Sequence, residues 1–111
     1  MFKIVDRASW QAVHGAASFD GSPLDLRDGF IHLSSAAQVR DTAARYFAGQ
    51  PDLLLVAVDA AVLGPTLRWE PSRNGEPFPH LYAPLPRGAV RWVADLPLGA
   101  DGQHVFPGLD A

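Results

Sequence analysis

The chain has 111 residues, the size of one ordinary domain. Hydrophobic residues make up 48% and charged residues 19%, which supplies a core and argues against disorder. A net charge of −3 with singly scattered Lys and Arg disfavours duplex nucleic acid as a partner, and the absence of cysteine excludes disulfides, thiolate metal sites and a cysteine nucleophile.

The N-terminus, Met1 to Arg7, lacks the apolar run of a signal peptide. No stretch approaches the ~18 apolar residues that span a bilayer. The expectation is a cytoplasmic protein with no membrane partner. Phe2 to Val5 reads as a first strand. Ser9 can cap a helix running to about Ala17, with Trp10, Val13 and Ala17 at helical spacing. Phe19 to Gly29 reads as a loop, because Asp20-Gly21-Ser22-Pro23 and Asp28-Gly29 are turn signals.

Phe30 to Ser34 reads as a second strand, in which Phe30, His32 and Ser34 share one face and Ile31 and Leu33 the other. Ser35 and Gln38 fit a capping box that opens a helix. Ala36, Val39, Ala43, Tyr46 and Phe47 trace its apolar stripe, and Gly49 and Pro51 end it. Leu53 to Val58 is apolar throughout and reads as a central strand covered on both faces.

Asp59 to Gly64 forms a turn or a single helical turn. Leu67 to Glu70 is a strand halted by Pro71, and Ser72 to Pro79 is a Gly/Pro loop. His80 to Ala83 is extended between prolines. Ala89 to Leu96 alternates as a final strand, with Val90, Trp92 and Ala94 on one face. The tail from Pro97 brings Phe106 back onto the body. Trp10, Trp92 and Phe47 are expected in the core, and His14 and His104 on the surface. Early helices followed by late strands predict an α+β class, with two N-terminal-half helices packed on a mixed or antiparallel sheet. The chain reads as a single domain over 1–111.

Three segments share a design. His32 pairs with Ser34, Arg68 with Glu70, and His80 with Tyr82, each pair on one face of a short strand. Converging faces would make one cleft. His32 can hydrogen-bond a sugar hydroxyl or exchange protons. Tyr82 can stack on a flat ring, and Arg68 can fork onto a phosphate or onto Glu70. Glu70 is notable because only two glutamates occur against ten aspartates. The plainer readings are a core His32 with satisfied nitrogens and an exposed Arg68–Glu70 pair. A metal site on His32, Glu70 and His80 lacks the i,i+2 or i,i+4 spacing that specifies one, so no metal is assigned. There is no dinucleotide fingerprint, phosphate-binding loop or nucleophile elbow.

Asp28-Gly29-Phe30-Ile31-His32-Leu33-Ser34, Leu67-Arg68-Trp69-Glu70 and Phe78-Pro79-His80-Leu81-Tyr82, in this order, resemble the bacterial domain-of-unknown-function family 952. The likeness runs from Phe2 to about Leu98, leaving 97–111 as a tail. That family resembles the ADP-ribosyltransferase superfamily, whose members bind NAD in the cleft of a split, bent sheet. The resemblance implies an ADP-ribosyltransferase-like fold with NAD as substrate. It implies His32 and Ser34 on ribose, Arg68 on pyrophosphate, Tyr82 on nicotinamide and Glu70, with His32 and His80, as the catalytic set. Glu70 precedes Tyr82, whereas the glutamate-dependent branch has the reverse order. The alternatives are a non-catalytic nucleotide- or protein-binding module and a metal-dependent small-molecule enzyme.

Overall fold

The apolar run Leu53–Val58 organises everything else. In the computed structural model, which describes residues 1–109 apart from the Arg73 side chain, all six of its residues are buried. This strand, β4, follows β1 (Phe2–Asp6), α1 (Arg7–Gln11), β2 (Ser18–Phe19), α2 (Pro23–Asp28), β3 (Ile31–His32) and α3 (Val39–Tyr46) in the chain. After it come α4 (Ala60–Leu63), β5 (Leu67–Pro71), β6 (Pro77–Leu81), β7 (Leu85–Pro86) and β8 (Val90–Leu96).

Every strand pairing is antiparallel, in three sheets ordered β1-β4-β8, β2-β7 and β3-β6-β5. Side chains alternate along β4, so it divides the core in two. Leu53, Leu55 and Ala57 pack with Phe2, Ile4, Val39, Ala43 and Leu96 beneath α3. Leu54, Val56 and Val58 pack with Ile31, Leu33, Leu81 and Leu85 of the smaller sheets, and with Trp10 and Leu63. Phe106 of the tail packs on the first core beneath the Arg40 guanidinium.

The two three-stranded sheets meet at one backbone bridge. Phe2 N–H donates to Ser34 C=O at 2.8 Å, and Ser34 N–H returns to Phe2 C=O at 2.9 Å. Beyond it β1 runs on with β4 while β3 runs with β6, leaving a fork between the sheets.

Several expectations need correction. The predicted loop 19–29 begins at the last residue of β2 and contains α2. Ser22 is the cap of α2, Pro23 opens its first turn, and Asp25 reaches back to the Ser22 N–H at 2.9 Å. Serine and proline thus started a helix here rather than a turn. The first helix is shorter than Ser9–Ala17: Asp6 is its cap, accepting from Ser9 N–H at 2.9 Å, and a turn follows Gln11. The Ser35–Gln38 segment is a turn ahead of α3, although Gln38 Oε1 still accepts from Ser35 N–H at 3.1 Å. Only Ile31 and His32 of the predicted 30–34 strand join the β6 ladder. The Ser72–Pro79 loop ends early because β6 begins at Pro77. Four short helices replace the predicted two, and no parallel pairing occurs among the described strands. The final strand alternates as expected, with Val90, Trp92 and Ala94 inward.

Candidate functional site

The β3-β6-β5 sheet has one apolar face and one polar face. Register places Ile31, Leu81 and Leu67 in a row, and His32, His80 and Arg68 in the next. Directly paired residues share a face and neighbours alternate. Ile31, Leu81 and Leu67 turn into the core. Phe30, His32, His80, Tyr82, Arg68 and Glu70 turn the other way. The three predicted polar pairs therefore assemble on one surface, except that Ser34 is drawn into the bridge with Phe2. Its hydroxyl meets Thr42 of α3 at 3.2 Å.

His32 and His80 are each held at Nδ1 by a carboxylate. His80 Nδ1 lies 2.8 Å from Glu70 Oε1, and the same oxygen accepts from the Tyr82 hydroxyl at 2.6 Å. Those two donors, Tyr82 first and His80 second, hold the Glu70 carboxyl below its ordinary range, and the carboxylate in turn raises the Tyr82 phenol. An ionised carboxylate only accepts, so Nδ1 carries the proton. His80 Nε2 has no partner among the described residues. The ring is buried and stacks on Phe30, centroids 4.1 Å apart. His32 lies 5.9 Å from His80, ring centre to ring centre.

His32 is anchored by residues from α2, which sequence reasoning missed. Asp25 Oδ1 accepts from His32 Nδ1 at 2.6 Å and from His32 N–H at 3.1 Å. Asp25 Oδ2 accepts from Ser22 N–H at 2.9 Å, and Lys3 Nζ bridges both oxygens at 2.9 and 2.8 Å. Burial alone would raise the Asp25 carboxyl. The His32 hydrogen bond, then Lys3 and Ser22, reverse that and hold it well below the carboxylate range. Burial pushes the Lys3 ammonium down, and the attraction of Asp25, with a smaller one from Asp6, does not fully offset it. The pair's charge is better secured at the carboxylate. On the other side of the ring, His32 Nε2 lies 3.0 Å from Asp28 Oδ2.

The fork between the sheets is a cavity of about 540 Å³. His32, His80 and Phe78 line it from the small sheet, and Ser34 from the bridge. Phe2 and Lys3 line it from β1, Leu24 and Arg27 from α2, and Thr42 and Tyr46 from α3. Glu70, Tyr82 and Arg68 lie outside this lining. The Arg68 guanidinium sits over the Tyr82 ring, 5.4 Å from its centre, and Phe30 packs against that ring at 5.3 Å. Tyr82 and Arg68 thus sit together beside the cavity rather than in its lining. Among the described residues, no three of His, Cys, Asp and Glu converge as a metal site. No helix among them is long and apolar enough to cross a membrane.

Two signals for the missed residues were legible. A lysine in the otherwise apolar strand Phe2-Lys3-Ile4-Val5 demands a buried acid. Ser-Pro-x-Asp is a helix opening as well as a turn.

The chain is thus a small α+β domain of four helices and antiparallel sheets, with paired histidines at the base of a fork. It belongs to the family described as "Protein of unknown function (DUF952)", whose model matches residues 4–93. The crystal structure of protein CC0527 from Caulobacter crescentus is similar, with 51% identity, a TM-score of 0.87, and coverage of 94% of this chain and 91% of that one. The solution NMR structure of CC0527 gives 52% identity and a TM-score of 0.81 over 92% and 88% of the two chains. Comparison with curated proteins gives no match.

Proposed function

We propose that the fork binds NAD or ADP-ribose and transfers the ADP-ribosyl group of NAD to an acceptor. The observation that carries this reading is the convergence of His32, Ser34 and His80, from strands far apart in sequence, on one cavity at the point where two sheets part. Its volume falls in the range of pockets that hold small ligands, roughly 300–1,000 Å³.

The residues divide the work. His32 and Ser34 hold ribose hydroxyls, the substrate oxygen taking the place of Asp28 at His32 Nε2. His80 Nε2 faces the acceptor. As the glycosidic C–N bond breaks, nicotinamide leaves with the bonding electrons and the ribosyl carbon becomes cationic. The acceptor oxygen bonds to that carbon and its proton passes to His80 Nε2. Glu70 stabilises the resulting imidazolium through Nδ1 and is itself fixed by Tyr82. Glu70 therefore acts through His80 as a positioning residue, which accounts for its place before Tyr82 in the sequence rather than after.

Saturation-transfer NMR with NAD and ADP-ribose tests binding. Wild type should show transfer to the ribose protons at millimolar ligand, and His32→Ala should lose it; silence with both ligands in wild type ends the proposal. A binding module without turnover is the second reading, favoured by the partnering of both His32 nitrogens. Glu70→Gln separates the two: in the enzyme, nicotinamide release should fall about 100-fold while binding persists, whereas a module has no turnover to lose.

A further inference from the structure

Trp69 leaves 52% of a large apolar side chain in water, on the outermost strand of the β3-β6-β5 sheet. That strand, β5, pairs with β6 on one side and with no described strand on the other. Two hydrogen bonds show what its free margin presents. Tyr82 N–H donates to Thr66 C=O at 2.8 Å, so the Thr66 backbone turns toward β6. Antiparallel pairs alternate, so the backbones of Arg68 and Glu70 also turn toward β6, and those of Leu67, Trp69 and Pro71 turn outward. Leu33 N–H agrees: it donates to Pro79 C=O at 3.1 Å, so Pro79, opposite Trp69, aims its carbonyl away from β5. Of the three outward residues, Leu67 already donates its N–H to Gly64 C=O, and Pro71 has no N–H. Trp69 alone offers both a donor and an acceptor.

Such an edge accepts an added strand in one register, centred on Trp69. The flanking charges say which strand. The Arg68 guanidinium lies over the Tyr82 ring and makes no ion pair among the described residues. Glu70 receives both its donors on Oε1, leaving Oε2 without a partner among those residues. A strand reading cation, aromatic, anion, laid antiparallel across Trp69, sets its anion beside Arg68 and its cation beside Glu70. This chain carries that strand. A two-fold axis at Trp69 places Arg68 of each copy opposite Glu70 of the other, at the positions where cross-strand side chains come closest. On the opposite face the axis joins Leu67, Trp69 and Pro71 of both copies into one apolar strip.

We propose that two copies of this chain pair through the β5 edge, Trp69 opposite Trp69, joining their three-stranded sheets into one continuous antiparallel sheet. Arg68 of the second copy then reaches the free oxygen of the carboxylate that holds His80. The contact is short and belongs to the weak, reversible class of interfaces. It stands independently of any ligand in the fork. The β8 margin of the other large sheet is a poorer edge: its pairing is broken by a bulge beside Val58, and Asp95 is held by Arg7.

Sedimentation equilibrium from about 10 μM to about 1 mM tests the pairing on the whole chain. Wild type should pass reversibly from one chain to two across that range. Trp69→Lys, which sets two ammonium groups at the axis, should weaken dimerisation about ten-fold or more, and so should Arg68→Glu. Both positions are exposed, so the fold should survive, and circular dichroism checks this. Val93→Lys, on the β8 margin, should change nothing. Arg68→Glu and Glu70→Arg should each stay single, because like charges then meet, but an equal mixture of the two should pair. In wild type mixed from labelled and unlabelled chains, an isotope-filtered NOE should join the α-protons of Arg68 and Glu70 in different copies. Should Glu70→Arg not fold, this NOE and the two exposed variants still decide. Wild type that remains a single chain at about 1 mM overturns the proposal and leaves the edge to a strand of another protein. A dimer unmoved by Trp69→Lys, or lost with Val93→Lys, lies on a different surface and overturns it as well.

Discussion

Asp25 is the residue on which most of the site's geometry depends. Four donor groups converge on a carboxylate that is 1% exposed: the Lys3 ammonium, the Ser22 N–H, and both the backbone and ring nitrogens of His32. Removing one member of a buried ion pair leaves the other charge without compensation. Asp25→Asn should therefore cost about 3 kcal/mol at pH 7 in urea unfolding, and Lys3→Met a similar amount. The double variant Lys3→Met/Asp25→Leu should cost less than the sum. The pH dependence follows from the sign. The folded-state pKa of Asp25 is depressed, so its stabilisation is complete above the unfolded value of about 3.9 and fades as pH falls toward the folded one. The gap between wild type and Asp25→Asn should narrow below about pH 4; a gap constant from pH 7 to pH 3 contradicts the assignment. His32 and His80 were legible as a polar face because strand alternation has a fixed period. Their carboxylate partners were less so. Glu70 lies on the next strand within the same pattern, but Asp25 and Asp28 arrive from a separate element, and pairing of that kind is set only in three dimensions.

At the scale of elements, sequence reasoning succeeded where burial is two-sided and failed where an element is short. Leu53–Val58 is continuous apolar sequence, and its place at the centre of a sheet follows from that alone. Helix α2 has six residues and shows only one buried side chain, the acidic Asp25, so no apolar period announces it. Its ends carry the information instead. Gly29 closes α2 at φ 86°, and a Cβ added there would meet no atom within 4 Å. Gly29→Ala should then be purely a backbone penalty, about 1 kcal/mol in urea unfolding. A value near zero would mean that the turn between Asp28 and Phe30 readily adopts another path. Tyr46 shows the opposite difficulty. A helical period identifies which residues share a face but not how far a neighbouring element covers that face, and Tyr46 stays 62% exposed.

For the whole molecule, the joint between the sheets matters more than either sheet. The β1-β4-β8 sheet has core on both faces, whereas β5 lies at a margin with Arg68, Trp69 and Pro71 exposed. Native-state hydrogen exchange should show β4 amides protected up to the global unfolding free energy and β5 amides opening earlier. Equal protection would make the two sheets one cooperative unit. The α+β class was foreseeable from the order of helices and strands. The fork was not, since it depends on a single pair, Phe2 with Ser34, that no periodicity marks. The alternation along Pro77–Leu81 has one more consequence. His80 and Leu81 are adjacent, one turned to the cavity and the other to the interior. Deleting a single residue upstream within that strand would exchange their destinations, sending imidazole into oil and leucine into water. A one-residue deletion or insertion within Pro77–Leu81 should therefore damage the pocket and the hydrophobic interior together.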